Sequence, residues 1–345
     1  MKKFKHICNG IIWTLIVLYL LLIVLMHLPS VQTFLGKEVA EALADKFGTK
    51  VEVGKVNLGF FNRIIIDDVM MYDQQGDSLI YASRLSAKID YMAATQGKIS
   101  VSSAQIFGLR ANLYRQTAKS PANFQFVLDS LASKDTTQHK PLDLRIGSVI
   151  IRHGSIAYNQ RDIASAAGVF SPQHIGISNL SAHIALHHLT DNDIHLSIKK
   201  IAFTDKSGLQ VKNLRFKVNA DKHQARLSDF QLELPKSHLL LEDLIATYRT
   251  NEKGTLISET LQFEGGIKPS LITLSDVACF APILRKWNDA LYIDTHFSGT
   301  STSARIHQLH FKTQSGSILL KANAKASDWN RKLHWLANIE TLRVS

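Results

Sequence analysis

The chain has 345 residues, 45% of them hydrophobic and 20% charged, and a formal charge of +11. That balance excludes an intrinsically disordered chain and a polytopic membrane protein. The positive charge is dispersed in singles and pairs such as Lys199-Lys200, which leaves a solvated surface or an anionic lipid surface as its partner and argues against nucleic acid.

The first element is apolar. "ICNGIIWTLIVLYLLLIVLMHL", Ile7 to Leu28, holds no acidic residue, lysine or arginine. As a helix rising about 1.5 Å per residue it reaches roughly 33 Å, enough to cross the hydrocarbon core. A cleaved signal peptide would share the basic start "MKKFKH". This run, however, exceeds a usual h-region, and "HLPSVQTFLG" offers no A-x-A-like cleavage site. Residues 1–29 therefore read as a cytoplasmic tail and an uncleaved transmembrane anchor, with Ile11, Trp13, Leu15, Leu18, Leu22 and Leu25 in the span. Lys2, Lys3 and Lys5 keep the amino terminus in the cytoplasm and place the bulk of the chain across the membrane. Cys8 and Cys279 then lie on opposite sides and form no disulfide.

Residues 30–48 put Val31, Phe34, Leu35, Val39, Ala42, Leu43 and Phe47 at helical spacing, with Ser30 as the expected N-cap and Gly48 as the stop. The apolar face of this juxtamembrane helix lies on the membrane or, in the preferred reading, caps the end of a sheet.

From Lys50 onward the period changes to two, and strand follows strand between Gly, Asn, Asp and Ser turns. "DQQGD", Asp73 to Asp77, reads as a hairpin turn. In the stretch that follows it, Leu79, Tyr81, Leu85, Ala87, Ile89 and Tyr91 share a parity, and Ile99 and Val101 extend the same oily face. Ile80, on the polar parity, and Ser83, on the apolar one, are exceptions. Two stretches interrupt the strands. Residues near 121–132 are helical, and residues near 275–288 place Val277, Phe280, Ile283, Leu284 and Trp287 on one helical face, with Pro282 imposing a kink or a second piece.

The expected fold is mainly β. An elongated, coiled, groove-forming sheet over residues 49–345 follows the two amino-terminal helices and carries two short helical insertions. Separate sandwiches would need Pro/Gly-rich linkers, and none interrupts the rhythm. A sheet with one apolar face must fold over onto itself or hold something oily.

The junction "VQTFLGKEVAEALADKFGTKVEVGKV", with "DDVMMYDQQGDSLIYASRLSAKIDY", "GKISVSSAQIFGLRANLYRQ" and "NFQFVLDSL", closely resembles the start of the TamB branch of AsmA-like proteins of Bacteroidetes-type envelopes. "TLSDVACFAPILRKW" resembles an insertion such proteins carry. The resemblance is closest over residues 1–160 and continues as a looser strand rhythm. It implies an inner-membrane anchor and a periplasmic, taco-shaped β-groove acting as a passive conduit for phospholipid moving toward the outer membrane. It also implies a second role, as the scaffold subunit of a translocation and assembly module that partners an outer-membrane Omp85-type barrel in protein insertion or secretion. Relatives of this kind are several times longer, and this chain stops at "NIETLRVS" in mid-alternation, so a fragment is expected.

Catalytic and cofactor motifs are not expected: there is no G-x-S-x-G, H-E-x-x-H, Walker or G-x-G-x-x-G string. "HIALHHLTDNDIH" gathers His183, His187, His188, Asp191, Asp193 and His195. On one strand His183 and His187 stand roughly 13 Å apart at about 3.3 Å per residue, too far for one ion. A cross-strand pair of His187 with His195 is the zinc alternative; solvent-facing strand histidines are the preferred reading. Asp67, Asp68, Asp73 and Asp77 lack calcium-loop spacing and read as turn chemistry.

Overall fold

The computed structural model describes residues 13–14, 17–18, 21, 24–25, 28–59, 62–89, 100–132, 145–190, 193–251, 255–287, 289–329 and 332–345. The chain is mainly β. Among the described residues no helix is long and apolar enough to cross a membrane. Trp13, Leu18 and Leu25 are helical and exposed, while Ile11, Leu15 and Leu22 lie outside the described residues. Residues 49–345, expected as one groove, fall into two compact units that divide between Ile146 and Gly147.

The first unit opens with helix α1, Pro29–Phe47. Its N-cap is Leu28, without a side-chain cap, and Ser30 lies inside the helix. The physical reason is Pro29: its φ is already helical and it has no N–H to leave unsatisfied at the first helical position, so the helix starts one residue before Ser30. Gly48 ends the helix at φ 63°, its N–H donating to the Ala44 carbonyl. The helix packs on strand β1, Val51–Gly59. Gly36 is buried there, and a Cβ on it would stand 3.2 Å from the Gly54 carbonyl oxygen. The packed stripe runs through Leu35, Gly36, Val39, Leu43 and Phe47, whereas Phe34 remains 60% exposed. Gly36→Leu should therefore lower stability by about 2 kcal/mol in urea unfolding through overpacking, whereas Phe34→Ser should change it by less than about 0.5 kcal/mol.

Strands β2, Arg63–Tyr72, and β3, Ser78–Ile89, form a hairpin that continues the sheet from β1. Its turn is "DQQGD": the Asp73 N–H donates to the Asp77 carbonyl at 2.8 Å, and Gly76 takes φ 86°. Strand β4, Ser100–Phe107, pairs with β3. Strand β5, Arg110–Arg115, joins the turn end of β3, and the short β6, Arg145–Ile146, runs parallel to β4. Helix α2 is Gln125–Ala132.

The second unit is an antiparallel meander in which strands pair with their neighbours in the chain. In order they are β7, Ser148–Gln160; β8, His174–Thr190; β9, Asp193–Asp205; β10, Gln210–Ala220; and β11, Gln224–Glu233. Strands β12, His238–Leu240, and β13, Leu244–Thr250, share one position in the sheet between β11 and β14, Leu256–Thr273. The sheet continues through β15, Ala290–Thr300; β16, Ser303–Thr313; β17, Ile318–Ser327; and β18, His334–Val344. The insertion before β15 is α3, Leu274–Val277, followed by a 3-10 turn from Pro282 to Lys286. It buries Leu274, Ala278 and Cys279 and leaves Phe280, Ile283 and Trp287 exposed.

Candidate functional site

Directly opposed residues in antiparallel strands share a face, so the register of the second unit fixes which side chains form rows. One row runs Leu186, Leu196, Val218, Leu227 and Leu244 from β8 to β13. Leu244 lies over Gly265, and the row resumes as Gly265, Phe297, Ile306, Ala324 and Ala337 out to β18. Beside it, from β9, runs Ile194, Ala220, Ala225, Ala246, Phe263, Gly299, Ala304, Ala326 and Trp335. Gly265 and Gly299 leave room for Leu244 and Phe263, whose side chains occupy the space a Cβ would take. Between these rows, on the other face, stand His195, Asn219, Arg226, Ile245, Glu264, Ser298, Arg305, Lys325 and Leu336, polar but for two.

Strict alternation would put part of each strand's apolar residues on the other face. Bulges keep them on this one. The face advances by three residues instead of two from Ile198 to Ile201, Leu227 to Phe230, Ile267 to Ser270, Ile306 to Leu309 and Ile339 to Leu342, and the register shifts at each place. Asp229, in the β11 bulge, takes φ 55°. The floor so formed is half-buried through most of its length. It is neither closed like a core nor solvated like an outer surface. At β18 it is open, with Trp335 75%, Ile339 57% and Leu342 58% exposed. Val277 of the insertion covers one part, enclosing with Leu232, Leu239 and Ile272 an apolar space of about 80 Å³.

In the first unit the expected oily face divides. Leu85 stands with Ile66, Val56 and Ile106, and Ala87 with Ile64 and Ala104. Tyr81 is not among them: it opposes Met70 and Arg110, its hydroxyl donates to Asp68 at 2.8 Å, and the Arg110 guanidinium lies 4.4 Å from its ring centre. The apolar row at that end is on the other parity, Val53, Val69 and Ala82, with Ile80 beside Met71. The change falls at Asp68, which has φ 55° but inserts no residue into the register, so the alternation continues while the oily residues exchange faces. Leu79 is fully buried beside the turn, and Val101 is buried opposite Ile89. Tyr91 and Ile99 lie outside the described residues.

The acidic and histidine clusters are dispersed. Asp67 pairs with Arg84 at 2.6 Å, and Asp73 faces Tyr114. His188 opposes His195, whose Nε2 is 2.9 Å from Asp193, while the His187 Nε2 is 3.4 Å from the Ser197 hydroxyl; Asp191 lies outside the described residues. Among the described residues no group of three or more His, Cys, Asp or Glu could hold a metal ion. Burial pushes the Cys279 thiol up, which keeps it protonated.

No family model, curated protein or solved structure matches the chain. The floor itself has to carry the functional argument.

Proposed function

We propose that the chain is an inner-membrane-anchored periplasmic protein of the TamB/AsmA-like type, a passive hydrophobic conduit for phospholipid transport between the inner and outer membranes. Ile7 to Leu28 supplies the anchor in this reading, with the amino terminus cytoplasmic. The observation that carries the reading is the pair of in-register apolar rows that run to β18, one from β8 and one from β9, half-buried along most of their length.

The energetics favour such a floor. Exposing an acyl chain of about 16 carbons to water costs on the order of 12 kcal/mol at about 0.8 per methylene. Each 1.36 kcal/mol of barrier is about tenfold in rate, so restoring even part of the lost apolar contact speeds transfer by decades. Such transfer needs no nucleophile, base or metal.

A photocrosslinker at Leu227, on the floor, is expected to capture phospholipid in cells, and one at Asn219, on the opposite face, is not. Protein adducts from Leu227 would favour a scaffold for outer-membrane protein assembly instead. Equal lipid capture from both positions would sink the conduit.

A further inference from the structure

We propose that the polar face of the second unit holds a binding site for a phosphate-bearing anion, where the bulges of β9, β11 and β14 come together around β10. The site is on the face opposite the apolar rows and does not rest on the conduit reading.

A cavity of about 690 Å³ opens at this place. Its position follows from the bulges. A residue inserted to keep the apolar row in phase adds a side chain to the other face, and Lys199, Asp229 and Lys268 occupy such insertions. Arg215 and Lys217 flank the β10 irregularity, so four cations and two carboxylates, Asp229 and Asp243, line one concavity.

Both carboxylates are already engaged. Lys217 Nζ lies 2.7 Å from Asp229, and Arg226 lies 3.5 Å from Asp243. Lys217, with smaller contributions from Arg215 and Lys268, holds the Asp229 carboxyl below its ordinary range, and all four residues line the one cavity. Lys199, Arg215 and Lys268 have no ion pair among the described residues. A merely solvated surface spreads like charges apart. Here they converge beside an apolar side chain, Leu240, and a concave low-dielectric wall strengthens their field. An arginine fork beside lysine point charges matches phosphate oxygens, and the volume exceeds what a bare phosphate fills, leaving room for a headgroup.

The test uses the full chain in detergent, titrated calorimetrically with inorganic phosphate and, separately, with short-chain phosphatidylglycerol. Saturable, salt-sensitive binding is expected. Arg215→Gln combined with Lys268→Gln should weaken it at least tenfold. Asp229→Asn should tighten it about threefold, because asparagine tolerates φ 55° and only the competing charge is removed. A purely structural Lys217–Asp229 pair would give no such gain. Binding of phosphatidylglycerol alone, weakened by the double variant, would assign the anion to a lipid headgroup, and comparable binding of phosphate to a free anion; either supports the site. No saturable binding of either probe in the millimolar range, an adventitious ion unaffected by the double variant, or weaker binding in Asp229→Asn would overturn it. Leu227→Asp should leave the binding of inorganic phosphate unchanged, so the site and the conduit fail separately.

Discussion

Aspartate in place of Leu227 is expected to abolish phospholipid transfer while the protein still folds. Leu227 lies between Val218 and Leu244 in the first of the apolar rows and is half-buried, so a carboxylate there keeps access to water and does not enter a closed core. An acyl chain following the row would have to pass that carboxylate and strip part of its hydration. Burying a charge without a partner costs several kcal/mol even when relaxation is allowed. At 1.36 kcal/mol per decade, a penalty of about 3 kcal/mol slows passage by about a hundredfold. Asn219→Asp, on the neighbouring strand but the opposite face, adds the same charge and should leave the rate unchanged. The measurement is transfer of labelled phospholipid from donor to acceptor vesicles by the reconstituted chain, with circular dichroism to confirm the sheet. A wild-type rate in Leu227→Asp, or equal slowing by both variants, would end the conduit reading.

What the sequence made legible is what is local. "DQQGD" carries its own turn, Gly48 its own stop, and the change to a period of two after Lys50 marks where the strands begin. The faces were less legible because parity is counted along one strand, whereas a face is defined by the register of several. Ile198 and Ile201, or Ile267 and Ser270, break the parity as if the pattern had failed; the inserted bulge residue is what keeps them in one row. Ala82 and Leu85 also stand three apart, yet no residue is inserted between them and they face opposite ways. Spacing alone does not separate the two cases. Helix α1 shows another limit: a wheel drawn from apolar side chains turns toward Phe34, while the contact centres on Gly36, which has no side chain to count. Lys199, Arg215, Asp229 and Lys268 are far apart in the chain and meet through strand order, so no motif announces them.

Loss of the Asp73 carboxylate is expected to be the most damaging single change to the first unit. Asp73 is 3% exposed, at the end of β2. One carboxylate oxygen accepts the N–H groups of Gln75 and Asp77, both at 2.9 Å, and closes the turn. The other accepts the Tyr114 hydroxyl at 2.8 Å and the Asn123 amide at 3.2 Å, tying that turn to β5 and to the segment before α2. Asn123 in turn accepts the Tyr114 N–H at 2.9 Å, so the donors around Asp73 are held by one another as well. Asp73→Ala leaves buried donors without an acceptor and should cost about 3 kcal/mol at neutral pH, read from urea unfolding with amide exchange on β3 and β5. Burial by itself would raise the Asp73 pKa, but the hydrogen bonds from Tyr114, Asn123, Asp77 and Gln75 outweigh it and hold the carboxyl below its ordinary 3.8. A carboxyl depressed in the folded state binds its proton more weakly than in the unfolded state. Its stabilisation is therefore full above the ordinary value and fades as pH falls through the lowered one. Asp73→Asn should be less stable than the wild type at pH 7, and the gap should narrow below about pH 3.8 as the native carboxylate is protonated. A gap that stays constant with pH would place the stabilisation in the shape of the turn and not in the charge of Asp73.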